Sequence, residues 1–178
     1  MKFWLITDTH FNHDKMPEYC GRPVGFEELI MQGLSKIPKE DVLIHLGDVC
    51  IGKDAYWHER LAELPFKKWL ILGNHDHNSI SWYITHGWDF VGTEIKMEMF
   101  GKHILFSHTP LKGDFDLNIH GHFHNALHRL LEKQWVTPDE EKRNEKDLGN
   151  LTPKHKLLAI EYANYQPVLL SSFVETIK

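Results

Sequence analysis

Residues 67 to 77 read KKWLILGNHDH, in which an apolar run passes without a linker into an amide, a carboxylate and two imidazoles. A short apolar run that ends at glycine is typical of a buried strand, so we predict a strand that ends near Gly73. Each polar group that follows costs about 1–3 kcal/mol if it is buried without a partner. The stretch therefore predicts a bound ligand at the end of a strand.

Four other short apolar runs end in polar clusters: FWLITDTH (3–10), DVLIHLGDV (41–49), KHILFSHTP (102–110) and DLNIHGHFH (116–124). Stretches with helical spacing lie between the first three strands, at GFEELIMQGLSKI (25–37) and DAYWHERLAEL (54–64). This alternation predicts an α/β first half. The stretch TEIKMEMFGKHILFSH (93–108) predicts an antiparallel hairpin, and KLLAIEYANYQPVLLSSFV (156–174) predicts two final strands.

The composition is that of a folded chain with one core. With 178 residues, 42% of them hydrophobic, the chain suits a single domain over 1–178, with the polar segment at about 125–156 as a surface insertion. The net charge of −5 disfavours binding to extended nucleic acid and favours a small substrate. Two cysteines and an N-terminus without a long apolar stretch predict a cytoplasmic protein with no membrane contact.

Histidine, with 14 copies, is the unusual component of the sequence. Open α/β sheets bind ligands at the carboxyl ends of their strands. The polar residues that follow the five apolar runs should meet there, and seven of them are candidate metal ligands: Asp8, His10, Asp48, Asn74, His108, His122 and His124. Residues i and i+2 of an extended segment face one side, so Asp8 with His10, and His122 with His124, could each bind one ion.

Each motif has a simpler explanation when it is taken alone. DTH could be a helix cap, GD a turn, and His108 a histidine bonded to the backbone. An Asx turn explains Asn74 but leaves His75 and Asp76 unexplained. Together the seven side chains are too many for one ion and suit two that share a carboxylate. Their imidazole, carboxylate and amide groups suit divalent ions, with Mn²⁺ favoured and Fe, Zn²⁺ or Ni²⁺ as alternatives.

The order D-x-H, G-D, G-N-H-D, H and G-H-x-H between Asp8 and His124 resembles that of the calcineurin-like metallophosphoesterases. The opening DTHFNHDKMPEYCGRP (8–23) is similar to that of small stand-alone bacterial and phage members. The resemblance implies an α/β fold, a four-layer α-β-β-α sandwich of two mixed β-sheets flanked by helices. It also implies a first ion on Asp8, His10, Asp48 and His124, and a second ion on Asp48, Asn74, His108 and His122.

The resemblance assigns roles to residues beside the ligands. His75 is similar to the family's proton donor to the leaving group, and Asp76 is expected to orient it or raise its pKa. His13 and Arg22 are candidates for substrate contact, although each could equally belong to a surface loop. The remaining histidines are expected in the core or behind the ligands (His45, His103, His120), at the start of a helix (His77) or on the surface (His58, His86, His128, His155).

The resemblance implies a dinuclear metal-dependent phosphoester hydrolase with a metal-bridging hydroxide as nucleophile. A phosphodiesterase for small or nucleotide-like substrates is favoured, because a histidine acid helps most with a poor leaving group. A phosphomonoesterase or nuclease of the same superfamily is one alternative. A non-catalytic metal-binding scaffold is another, although a scaffold has no use for a proton donor at His75.

Overall fold

The computed structural model describes residues 1–134 and 136–177. The strands are β1 (Phe3–Ile6), β2 (Val42–His45), β3 (Lys67–Ile71), β4 (Phe90–Gly92), β5 (Glu94–Met99), β6 (Lys102–Ser107), β7 (Leu117–His120), β8 (His155–Leu157) and β9 (Val168–Leu169). The helices are α1 (Met16–Cys20), α2 (Phe26–Leu34), α3 (Asp54–Ala62), α4 (Ile80–Thr85), α5 (Leu127–Leu131), α6 (Pro138–Leu148) and α7 (Leu170–Glu175). Each of the apolar runs that end in polar clusters forms a strand.

The strands form two mixed sheets. The first has the order β4-β3-β2-β1-β9 and is parallel except for the antiparallel pair of β1 with β9. The second has the order β5-β6-β7-β8 and joins the antiparallel pair β5–β6 to the parallel strands β7 and β8. Two mixed sheets flanked by helices confirm the predicted fold class, and the predicted hairpin is present.

The two sheets pack face to face. Leu5, Ile44 and Ile71 of the first sheet join Ile104 and Phe106 of the second in one fully buried apolar cluster. Neighbouring residues of the first sheet point to its opposite face, where they pack on α2 and α3 in a second cluster that includes Ile6, Leu43, Leu70, Phe26, Ile30, Leu34, Trp57 and Leu61. This packing fixes the carboxyl ends of β1, β2 and β3 side by side.

The predicted surface insertion at about 125–156 contains α5, α6 and the start of β8. Helix α6 begins with Thr137 as N-cap, whose hydroxyl accepts a hydrogen bond from the Glu140 backbone N–H, and with Pro138 in its first turn. None of its residues is buried. No helix in 1–134 or 136–177 combines the length and apolar character that a membrane crossing requires.

Candidate metal centre

The strand ends bring the predicted ligands together around Asp48. Its Oδ2 atom lies 3.5 Å from His10 Nε2 and 3.4 Å from His108 Nε2. Asp8 Oδ1 lies 3.9 Å from His10 Nε2 and 3.8 Å from His124 Nε2. Asp8, His10 and His124, which we call the Asp8 side, therefore face Asp48 from one direction.

The other ligands form what we call the Asn74 side, made of Asn74, His108 and His122. Asn74 Oδ1 lies 2.9 Å from His108 Nε2 and 3.0 Å from His122 Nδ1, and the two imidazole nitrogens are 3.3 Å apart. The structure thus brings all seven predicted ligand side chains into one cluster, with Asp48 between the two sides.

The backbone reaches this arrangement in an unexpected way. The segments around these residues are not extended as predicted, because φ is positive at five of the candidate ligands: Asp8 (49°), His10 (45°), Asp48 (57°), His122 (74°) and His124 (49°). These residues occupy the left-handed region, which non-glycine residues seldom adopt and which costs about 1–3 kcal/mol for each residue. Strain is therefore concentrated at the ligands, as is common at functional sites.

Two glycines permit the loops to approach each other closely. A Cβ atom at Gly73 would collide with Asp48 Oδ1, and one at Gly121 would collide with Thr7 Oγ1 and Asp8 Oδ2. Both neighbours belong to the centre or to its immediate support, so a methyl group at either position would displace ligands.

Asp76 fastens the loops after β2 and β3 to each other. Its carboxylate accepts hydrogen bonds from the backbone N–H groups of Asp48 (2.7 Å), Val49 (3.1 Å) and Gly73 (2.8 Å). Burial raises the pKa of Asp76, whereas these hydrogen bonds favour its charged form. The carboxylate oxygens are directed at the backbone, which corrects the expectation that Asp76 orients the His75 ring.

His75 lies at the open edge of the centre. Its backbone N–H donates to Asp48 Oδ1 at 2.8 Å, while its side chain is exposed. The His75 ring makes an edge contact with the His10 ring, with centroids 5.4 Å apart. His13 is half-buried, and its ring also makes an edge contact with the His10 ring, with centroids 5.8 Å apart. Both histidines border the space in front of the ligands.

Arg22 lies behind the ligands rather than in front of them. It is 2% exposed, and its guanidinium donates to the backbone oxygens of Asp8 (2.7 Å) and Thr9 (2.8 Å) and to Glu161 Oε1 (2.7 and 3.0 Å). This geometry corrects the expectation of a fork directed at substrate. The guanidinium instead holds the Asp8 loop on a buried carboxylate.

Each ligand histidine outside the D-x-H motif has its second ring nitrogen near an oxygen. His108 Nδ1 lies 2.7 Å from the Leu46 oxygen, and His124 Nδ1 lies 3.2 Å from Glu161 Oε1. His122 Nε2 lies 3.6 Å from Asp147 Oδ2 in α6. Such partners fix the tautomer and ring orientation of a metal-ligating histidine.

The residues of this site fit divalent cations. Asp8 Oδ1 and both ring nitrogens of His10 are buried without a hydrogen-bond partner among the described residues. Burial opposes the charged form of His108 and His124, yet Asp48 raises the pKa of His108 to about 9 and Asp8 raises that of His124 to about 11. The buried carboxylates therefore attract positive charge strongly, and the ligand atoms available are those that transition-metal ions accept.

The family model of the calcineurin-like phosphoesterases matches residues 1–161 of this sequence. The chain belongs to this family. It is 29% identical over 189 residues to the uncharacterized protein MJ1445 of Methanocaldococcus jannaschii, an alignment that covers 99% of this chain and 92% of that protein.

Two solved structures were found to be similar to this calcineurin-like phosphoesterase, and the first of them shows the same fold. The Aquifex aeolicus protein of unknown function AQ665 has a TM-score of 0.70 with 24% identity, and 98% of each chain is covered. The Pseudomonas putida nuclease MPE has a TM-score of 0.48 with 21% identity, over 68% of this chain and 61% of that one.

Calcineurin-like phosphoesterases generally bind divalent metals, and the described part of this chain has three groups of residues that could hold such an ion. They are Asp8 with His10 and His124, Asp8 with Asp48 and His108, and Cys20 with His124 and Glu161; the ligand atoms of each group lie within 4.8 Å of one another. The family match and these groups together support a metal-binding phosphoesterase.

Two residues beside the centre were not predicted from the sequence, and three histidines elsewhere in the chain were misplaced. Glu161 and Asp147 have no motif spacing that would reveal them. His58, expected on the surface, is 1% exposed and accepts a hydrogen bond from Trp88 Nε1 at 2.8 Å. His155, also expected on the surface, is 9% exposed, whereas the side chain of His103, expected inside or behind the ligands, is 61% exposed.

Proposed function

We propose that this calcineurin-like phosphoesterase is a dinuclear metal-dependent phosphohydrolase that prefers small or nucleotide-like phosphodiesters to monoesters. The observation that carries the proposal is the position of Asp48 Oδ2, 3.5 Å from His10 Nε2 and 3.4 Å from His108 Nε2. One carboxylate placed between two sets of imidazole ligands is suited to serve two ions.

The proposed first ion is held by Asp8, His10, Asp48 and His124. The proposed second ion is held by Asp48, Asn74, His108 and His122. Such ions, when bound, supply positive charge to the phosphoryl oxygens and lower the pKa of water. Manganese is the favoured ion, with iron, zinc or nickel as alternatives, because imidazole, carboxylate and amide ligands are mixed.

The chain's own residues have distinct proposed tasks. His75 is exposed at the open edge beside His10 and would donate a proton to the leaving oxygen. His13, half-buried on the same edge, would contact the substrate. Arg22 and Asp76 would act as positioning residues, because their polar atoms are directed at the Asp8 and Asp48 loops.

Other features support a small substrate in a reducing compartment. The net charge of −5 gives little attraction for a long polyanion. Cys20 and Cys50 are both free thiols, which suits the proposed cytoplasmic location. The alternatives, if the following test contradicts this proposal, are a phosphomonoesterase, a nuclease or a metal-binding scaffold.

The test compares three esters with Mn²⁺-loaded protein: bis(p-nitrophenyl) phosphate, p-nitrophenyl phosphate and the dinucleotide thymidylyl-thymidine. We expect both diesters to react faster than the monoester, and only when metal is present. His75→Ala should slow the dinucleotide by about 10²–10⁴-fold and the nitrophenyl diester much less, because nitrophenolate leaves without a proton.

The matched control is His77→Ala, because the His77 ring lies beside that of His75 with centroids 6.3 Å apart. It should keep wild-type rates, and metal content should be the same in all three proteins. Equal slowing of both diesters would remove His75 as proton donor. Two bound ions without turnover of any ester would favour the scaffold.

A further inference from the structure

Helix α6 turns one polar face toward the metal centre. Glu140, Arg143, Asn144 and Asp147 follow the spacing i, i+3, i+4 and i+7, which places them on the same side of a helix. Asp147 Oδ2 lies 3.6 Å from Nε2 of the ligand His122, so this face is seated at the centre. A helix face that was exposed only to solvent would not contact a proposed metal ligand.

A cavity of about 470 Å³ lies between α6 and the ligands. One wall is formed by Asn74, His122 and His124, and the opposite wall by Glu140, Arg143 and Asn144. Three apolar side chains complete the lining: Phe123, Ala126 and Leu130. Its volume is in the range of small-molecule sites, and its lining combines three apolar with six polar side chains.

Two of the three polar side chains that α6 contributes to the cavity already have hydrogen-bond partners. Glu140 Oε2 accepts from Arg129 Nη1 at 3.1 Å, and Asn144 Nδ2 donates to the Glu140 backbone oxygen at 2.7 Å. Arg143 is exposed, lines the cavity and lies near enough to Glu140 to help keep that carboxylate charged, but it makes no hydrogen bond or ion pair with the residues in 1–134 and 136–177. The cavity thus presents one guanidinium that is available to a ligand.

We propose that this cavity binds a second phosphoryl group of the substrate, outside the scissile one, and that Arg143 is its anchor. The inference rests on the proposed function, because the scissile phosphoryl group must lie at the ligands. A guanidinium donates two parallel hydrogen bonds to a phosphate, and the apolar lining suits the organic part between two phosphoryl groups. The substrate class is therefore a phosphodiester with an additional terminal phosphate.

The test uses two chromogenic diesters that differ in one group. Thymidine 5′-(p-nitrophenyl phosphate) has one phosphoryl group, and its 3′-phosphorylated form has two. We expect kcat/KM of the wild type to be at least about tenfold higher for the second ester, mainly through KM, since a charged hydrogen bond is worth that factor or more. Arg143→Ala should remove this preference and leave the first ester unchanged.

Two further variants separate charge from geometry. Arg143→Lys keeps the charge without the fork and should retain only part of the preference. Lys146→Ala removes an exposed positive charge from the same helix and should retain all of it. No preference in the wild type, or equal losses on both esters in Arg143→Ala, would overturn the proposal.

A binding experiment covers the case in which neither ester is hydrolysed. Calorimetry with the Mn²⁺-loaded protein would compare thymidine 3′,5′-bisphosphate with thymidine 5′-monophosphate. Tighter binding of the bisphosphate that is lost in Arg143→Ala would support the cavity even though the proposed hydrolase function had failed. Equal affinities would overturn the cavity proposal on its own.

Discussion

The Asp8 side and the Asn74 side of the centre differ in what supports them. Asp8 is 0% and His10 3% exposed, and the loop that carries them is held by the buried pair Arg22–Glu161. On the Asn74 side His108 is also buried, at 4% exposed, but Asn74 is exposed and His122 is half-buried against α6, a helix with no buried residue. One side is built into the core, and the other is completed at the surface.

This difference has an energetic consequence. A buried charge that loses its partner keeps its desolvation cost, whereas an exposed group is solvated by water. Changes behind the Asp8 side should therefore lower the free energy of unfolding. Changes behind the Asn74 side should alter ion and substrate binding while the fold remains stable.

Asp48→Asn should weaken metal binding on both sides of the centre and give the largest loss of function. Removal of one carboxylate oxygen takes a proposed ligand from each ion, so metal affinity should fall by more than about 100-fold, the upper value for outer partners of ligands. Metal content after dialysis and Mn²⁺-dependent turnover measure the effect. Asp116→Asn, at an exposed position, is the control and should change neither quantity. Unchanged ion content in Asp48→Asn would contradict the bridging role.

The clustering of the candidate ligands could be predicted because apolar periodicity and strand order can be read from the sequence. Strands end where apolar runs end, and parallel strands share one edge, so Asp8, Asp48 and Asn74 had to be neighbours. The left-handed backbone at Asp8 and His10 could not be predicted, because even Asp and His, which adopt it more often than other non-glycine residues, do so in only a small minority of positions. Only the packed loops impose it.

The residues that support the ligands were harder to predict for a different reason. The sequence shows that Arg22 and Asp76 are polar, but it does not show which acceptors and donors surround them. Glu161 lies in a stretch predicted as strand, and the structure has a 3₁₀ turn at Ile160–Ala163 that directs Glu161 to His124. Asp147 reaches His122 only because α6 folds back over the centre.

Arg22→Ala should be the most damaging change confined to the Asp8 side. The side chains of Arg22 and Glu161 are 0% and 4% exposed, so the variant removes the guanidinium from a buried carboxylate that keeps only His124 Nδ1, at 3.2 Å. We expect a loss of about 3–5 kcal/mol in the free energy of unfolding, measured by urea titration. The effect should persist in metal-free protein, because it arises behind the ligands.

Arg60→Ala is the matched control for that variant. Arg60 and Glu28 form an ion pair of 3.2 Å, but their side chains are 28% and 62% exposed. The loss should be at most about 1 kcal/mol, as for other surface pairs. Similar losses in Arg22→Ala and Arg60→Ala would show that burial does not distinguish the Asp8 side.

Asp147→Asn should give the smallest effect and confine it to the Asn74 side. Asparagine keeps the shape of the side chain but removes the charge 3.6 Å from His122 Nε2, so the ring loses a partner that orients it. We expect one of the two ions to bind about tenfold more weakly in a Mn²⁺ titration, with unfolding unchanged within about 0.5 kcal/mol. Asp139→Asn, an exposed aspartate on the same helix, should leave both affinities unchanged. Equal weakening of both ions, or the same result in the control, would mean that α6 does not support the Asn74 side separately.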